Sequence, residues 1–253
     1  MSGIHYQVFG QGRPLVMIHG WAMHSGIWQS FAEQLAQYCQ VICVDLPGHG
    51  LSESIELLSL QNISDSLMQA LPVQQFSVLG WSLGATVAID MAARYPERVQ
   101  SLQLLAGNPL FVQNADWPGV KTEVLDVFAE QLASDVQQTL VRFLGLQVKG
   151  LPDAKTLLQH IKSAVQAYPA PSLQALQAGL QILKYSDGRL ALQQLQCPVS
   201  VLMGDRDTLI PLALAKSLKK LQPAIQLHLL ENAGHVPFLS HSQQLLERVI
   251  ADL

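Results

Sequence analysis

Short apolar runs alternate along the chain with longer stretches in which apolar positions recur every three or four residues. The runs at 4–10, 14–19, 41–46, 76–80, 99–106, 199–204 and 225–230 have the length and composition of strands. Gly10–Gln11–Gly12 separates the first two and predicts a β-hairpin. Helical periodicity appears at 26–38, 59–71, 83–95, 212–221 and 239–252. Strands alternating with helices predict an α/β fold, a mostly parallel twisted sheet with helices on both faces. Ligands of such sheets bind beyond the carboxyl ends of the strands.

The rhythm stops between 108 and 186, where helical patterns continue without a strand. Gly119, Gly150, Pro152 and the Y-P-A-P run at 168–171 punctuate this segment. Strands resume directly after it. That predicts a helical lid (108–186) inserted between two parts of one core, 1–107 and 187–253, rather than a separate domain.

Composition narrows the class. Apolar residues make up 49% of the 253 positions and charged residues 13%, which favours a large buried core and argues against disorder. A formal net charge of −4 gives no whole-chain basic field for nucleic acid. Cys39, Cys43 and Cys197 are too few, and odd in number, for a disulfide framework, and no zinc-type Cys/His spacing occurs. The N-terminal residues show no basic region followed by an apolar run, and no apolar run reaches transmembrane length. The expectation is a cytoplasmic, monomeric protein with reduced thiols, no membrane partner and no metal.

One stretch carries chemistry. In V-L-G-W-S-L-G-A (78–85) Ser82 stands between Gly80 and Gly84, where a strand pattern passes into a helix pattern. Two glycines at that spacing suit a nucleophile elbow, a strained turn that exposes the serine while strand and helix pass close together. A serine nucleophile needs a base, and the base an orienting acid, in the order Ser, acid, His for this kind of turn. The acid candidates are Asp205 and Asp207 in M-G-D-R-D-T-L-I-P, directly after a strand. Asp207, further into the loop, is the better placed to turn toward a histidine, and Asp205 to shape the loop. The base candidate is His235 in E-N-A-G-H-V-P-F, after the last strand. The other seven histidines lie in strands, in the insertion, at a helix start, or before the serine. An oxyanion would be held by the Leu83 amide, at the start of the elbow helix, and the Trp21 amide, in the H-G-W loop after the strand P-L-V-M-I-H. His19 reads as a residue ordering that loop rather than as a base.

Together, H-G-W (19–21), D-L-P-G-H-G-L-S (45–52), G-W-S-L-G (80–84), Y-P-E-R-V (95–99), G-D-R-D (204–207) and A-G-H-V-P-F (233–238) resemble the α/β-hydrolase superfamily over nearly the whole chain. W-P-G (117–119), R-F-L-G-L-Q (142–147), G-L-Q-I-L-K (179–184) and the chain length narrow the resemblance to the pimeloyl-acyl-carrier-protein methyl ester esterases of biotin synthesis. The resemblance implies a serine esterase without cofactor. Its substrate would be the methyl ester of pimeloyl-acyl-carrier protein, its triad Ser82, Asp207 and His235. It also implies substrate contacts at Trp21, Ser82, Leu83, His235 and the stretch Phe143, Leu144, Gly145, Leu146 and Gln147. Gly145 departs from the family, which carries alanine there.

Charge offers a separate pointer to the carrier. Between 136 and 186 the basic residues Arg142, Lys149, Lys155, Lys162 and Lys184 face one acid, Asp153, a net +4 that leaves −8 for the remainder. Acyl-carrier proteins are acidic, so Arg142, Lys149, Lys155 and Lys162 are candidate docking residues. Other readings share the same triad: a broad carboxylesterase acting on small esters, a carbon–carbon bond hydrolase or lyase, and a cofactor-free haloperoxidase. A non-catalytic receptor fits an intact triad poorly.

Overall fold

A computed structural model describes residues 3–253. The elements run β1 (Tyr6–Phe9), β2 (Pro14–Ile18), α1 (Gln29–Leu35), β3 (Gln40–Val44), α2 (Leu60–Ala70), β4 (Phe76–Trp81), α3 (Leu83–Arg94) and β5 (Val99–Leu105). Helices α4 (Thr122–Ser134), α5 (Val136–Gln147), α6 (Ala154–Gln166), α7 (Leu173–Tyr185) and α8 (Arg189–Gln194) follow. The chain closes with β6 (Val199–Gly204), α9 (Leu214–Leu221), β7 (Gln226–Leu230), α10 (Pro237–Ser240) and α11 (Ser242–Ala251).

The seven strands form one sheet in the order β1-β3-β2-β4-β5-β6-β7, parallel except for β1. Every residue of β4 and β6 is buried, as continuous apolar runs covered on both faces require. Helices α1 and α11 pack together, and α3 packs against α2 and α8. Between β5 and β6 the chain makes only helices and two isolated bridges, Val112 with Val120 and Asn114 with Trp117. Side-chain caps start three helices: Ser59 accepts from Asn62 N–H, Asp135 from Gln138 N–H and Ser172 from Ala175 N–H.

The predicted hairpin does not form. Strand β1 pairs antiparallel with β3, which separates it from β2. The glycines do turn the chain, Gly10 and Gly12 both having positive φ. The partners are chosen by burial. Strand β2 needs a parallel neighbour on each side to cover its apolar run, whereas β1 is only partly buried, with Val8 47% exposed, and suits the sheet edge.

Cys39 and Cys43 are buried and unpaired, and burial pushes both thiols up, Cys39 to about 11, so they act as core residues. No helix of the described residues is long and apolar enough to cross a membrane.

Candidate active site

Strand β2 lies between β3 and β4, so the chain order reverses at the carboxyl ends of β2 and β4. His19, Gly20 and Trp21 leave the first of these ends, and Ser82 the second. Ser82 has φ 55° and ψ −116°, a conformation disfavoured for a residue with a side chain. Two backbone bonds impose it, Ser82 N–H to Leu105 O (3.1 Å) and Ala85 N–H to Ser82 O (2.9 Å). The flanking glycines permit the close passage that creates this turn. A Cβ at Gly80 would lie 2.3 Å from the Gly84 carbonyl oxygen, and one at Gly84 would lie 2.3 Å from the Ile18 carbonyl oxygen.

Asp207 and His235 come together from the loops after β6 and β7. His235 Nδ1 is 2.8 Å from Asp207 Oδ2. The other carboxylate oxygen accepts from the Leu209 (2.8 Å) and Ile210 (3.0 Å) amides, which fixes the acid in its loop. A carboxylate partner makes Nδ1 the donor and leaves Nε2 as the acceptor. Both side chains are buried, and Nε2 has no hydrogen-bond partner. Trp81 Nε1 donates to the His235 carbonyl (2.8 Å) and tethers the loop from below. Asp205 is exposed and makes no side-chain hydrogen bond among the described residues, so of the two acids only Asp207 reaches the histidine.

The two amides expected to hold an anion, those of Leu83 and Trp21, are both without a partner among the described residues. Leu83 opens α3, so its N–H has no partner within the helix and gains from the positive end of the helix dipole. Trp21 lies in a turn closed by Met23 N–H to Gly20 O (3.2 Å), with Ala22 at φ 61°. Its own N–H donates to no group of the described residues.

His19 locks that turn. Its Nε2 accepts from Leu46 N–H (3.0 Å), so Nδ1 carries the proton and donates to Gly20 O (2.8 Å). Because the Gly20–Trp21 peptide is planar, holding its carbonyl sets the direction of the Trp21 N–H. Burial lowers the His19 pKa to about 3 and that of neighbouring His49 to about 4, keeping both rings neutral. Asp45 lies beneath them. Burial opposes its charge, but the Leu51 (2.9 Å) and Ser25 (2.5 Å) amides donate to it, and its pKa stays below the ordinary value.

An apolar cavity of about 20 Å³ opens over Ser82. Trp21, Phe111, Phe128, Phe143, Leu180 and Leu209 are among its walls. Only Phe143 of the stretch 143–147 lines it. Leu144 faces a second groove, between α5 and α6. Helix α5 runs through Gly145, around which a Cβ would meet nothing within 4 Å. Gln147 is buried with its Oε1 unpaired, and Leu146 contributes its carbonyl to Thr208 Oγ1 (3.4 Å). The walls from α4 and α7 were not singled out by the sequence. Their apolar spacing was visible, but periodicity does not say which packed face borders a site.

Of the candidate docking residues, Arg142, Lys149 and Lys155 are exposed and Lys162 is half-buried. Lys149 falls past the end of α5. Lys184 is paired with Asp126 of α4. Among the described residues no group of three His, Cys, Asp or Glu side chains is placed to hold a metal ion.

A serine on a strained strand-to-helix turn, a carboxylate-bound histidine and two free amides are the parts that a serine hydrolase site on an α/β-hydrolase sheet requires. The family profile of the alpha/beta hydrolase fold matches residues 13–242. Among solved structures, an esterase from Exiguobacterium antarcticum superposes with a TM-score of 0.87 at 23% identity, covering 98% of this chain and 94% of its own. A bromoperoxidase from Bacillus anthracis superposes at 0.88 and 19% identity, covering 98% and 94%; both likenesses concern the fold alone. A pimeloyl-acyl-carrier-protein methyl ester esterase from Nitrosomonas europaea is 43% identical, over 97% of this chain and 98% of the relative. The protein of the same name from Methylococcus capsulatus is 40% identical, over 96% and 95%. The chain belongs to the α/β-hydrolase family and, within it, to the pimeloyl-acyl-carrier-protein methyl ester esterases.

Proposed function

We propose that the protein is a serine carboxylesterase that hydrolyses the methyl ester of pimeloyl-acyl-carrier protein, releasing methanol, in biotin synthesis. The observation that carries this reading is the buried Asp207–His235 pair, together with Ser82 in the wall of an apolar cavity, in a chain whose relatives bear that name. His235 Nε2 takes the Ser82 proton as Oγ attacks the ester carbonyl. The Trp21 and Leu83 amides hold the oxyanion. Methanol leaves with the proton from His235, and a water deprotonated by His235 then releases the acyl group from Ser82. Asp207 keeps the imidazole in the reactive tautomer and stabilises its charged form.

The cavity holds little more than a water molecule, whereas a bound organic ligand needs roughly 300 Å³ or more. The helices between β5 and β6 therefore act as a lid (108–186 over the core parts 1–107 and 187–253) and shift to admit the chain. Phe143 then contacts the acyl chain, with Leu144, Gly145, Leu146 and Gln147 completing that wall. Arg142, Lys149, Lys155 and Lys162 receive the acidic carrier. Arg142 supports this placement, because its guanidinium lies 5.6 Å from the centre of the Phe128 ring, itself a wall of the cavity. The protein works as a cytoplasmic monomer, without cofactor, nucleic acid or membrane.

Methanol release from the carrier-bound ester, compared with the carrier-free ester and a short aryl ester, tests the reading. Preference for the carrier-bound ester, weakened by salt and by Arg142→Glu and Lys155→Glu, is expected. Turnover of the aryl ester without turnover of the pimeloyl ester overturns the substrate assignment.

A further inference from the structure

Gly179 stands in the middle of α7, where glycine is the least favourable residue after proline. It is buried and helical, with no turn to make. The reason for it lies across the interface. A Cβ at this position would lie 2.5 Å from Trp21 Cδ1, 3.0 Å from Trp21 Nε1 and 3.2 Å from Leu83 Cδ2. Trp21 and Leu83 are the two residues whose amides are assigned as the oxyanion donors. One turn earlier on the same helix, the Leu176 carbonyl accepts from Trp21 Nε1 at 2.8 Å. The indole has no room to retreat: it is 1% exposed, and the Phe143 ring meets it edge-on with centres 4.6 Å apart.

We infer that the Leu176 carbonyl and the absent side chain at Gly179 form a seat on α7 that positions both oxyanion donors. The inference rests on the Trp21 and Leu83 amides being those donors, and not on the identity of the acyl group. The seat makes catalysis depend on the position of the helical insertion. A displacement of α7 pulls on the indole, and through it on the Trp21 backbone. His19 grips the same loop from the core side through Gly20 O, so Trp21 is held between core and insertion. These are positioning groups, since neither Leu176 nor Gly179 touches the reacting atoms.

A Cβ at Gly179 restored to ordinary contact distance must push the indole by about 1 Å. A misplacement of that size costs on the order of 100-fold in rate, comparable to losing one oxyanion donor. The test uses Gly179→Ala, Trp21→Phe, Trp21→Ala and the Gly179→Ala/Trp21→Ala double variant, with a short aryl ester as substrate. An aryl trifluoromethyl ketone, whose serine adduct carries an oxyanion, is the binding probe. Gly179→Ala is expected to lower kcat about 10- to 100-fold, to leave KM within about threefold, and to weaken the ketone by the same factor as kcat. In the Trp21→Ala background the same substitution should change kcat less than about threefold, because the crowded ring is gone. Trp21→Phe keeps a ring but loses the bond to Leu176 and should lower kcat about tenfold, a result that stands even if Gly179→Ala fails to fold. Wild-type kcat in Gly179→Ala or in Trp21→Phe, a loss confined to KM, or an undiminished effect in the double variant would overturn the inference. If wild type binds the trifluoromethyl ketone no better than the matching methyl ketone, the oxyanion assignment itself falls, whatever the variants do.

Discussion

Acid should unfold this protein through the histidines beneath the Trp21 loop. His19 and His49 are buried and neutral, with pKa values lowered to about 3 and about 4. In the unfolded chain each returns to about 6.5. The unfolded state therefore binds more protons below that value, and stability falls with it. The contribution is complete above pH 6.5 and is lost as pH drops toward the folded pKa values. At pH 5 each histidine removes about 2 kcal/mol, and the two together about 4 kcal/mol, with more than half of the loss between pH 6 and 5. His24, also lowered by burial, adds to the same trend, whereas Asp45 contributes only at pH values where carboxylates titrate. Urea denaturation at intervals from pH 8 to 5 measures the slope. A change below about 1 kcal/mol across that range, or a native-state NMR titration placing either imidazole near 6.5, would refute the reasoning.

Other expectations concern the site and its scaffold. Ser82→Ala should abolish aryl-ester hydrolysis, and Asp207→Asn should lower kcat by about 10⁴ by favouring the wrong His235 tautomer; steady-state kinetics checks both. Gly80→Ala sets a methyl against the Gly84 carbonyl and should destabilise by about 3 kcal/mol, read from the urea midpoint. Gly145→Ala fills open space in a helix interior and should raise stability by about 0.5–1 kcal/mol, a rise of a few degrees in Tm by calorimetry.

Much of the site is legible in the chain itself, because its parts are local. A nucleophile elbow needs its two glycines within four residues of chain, and Asp207 and His235 each lie in the loop that follows a strand. The choice between Asp205 and Asp207 is less local. It turns on which carboxylate the loop buries, and two amides from Leu209 and Ile210 decide that. The charge reading is incomplete for a similar reason. The excess counted over 136–186 ignores α4, whose Asp126 pairs with Lys184.

Alternating apolar patterns determined the parallel sheet and the helical segment between β5 and β6, and a glycine-flanked serine with an acid and a histidine after later strands marked the candidate nucleophile, acid and base, since periodicity and strand ends are properties of neighbouring residues. Tertiary structure alone decided which strand neighbours which. Strand β1 lies beside β3 and not β2, because burial demands differ between edge and centre of the sheet. It alone also decided what faces the serine from across the molecule. Phe128, Leu180 and Gly179 look like ordinary helix residues until α4 and α7 fold over Trp21, because helical spacing records that a face is buried but carries no information about its partner.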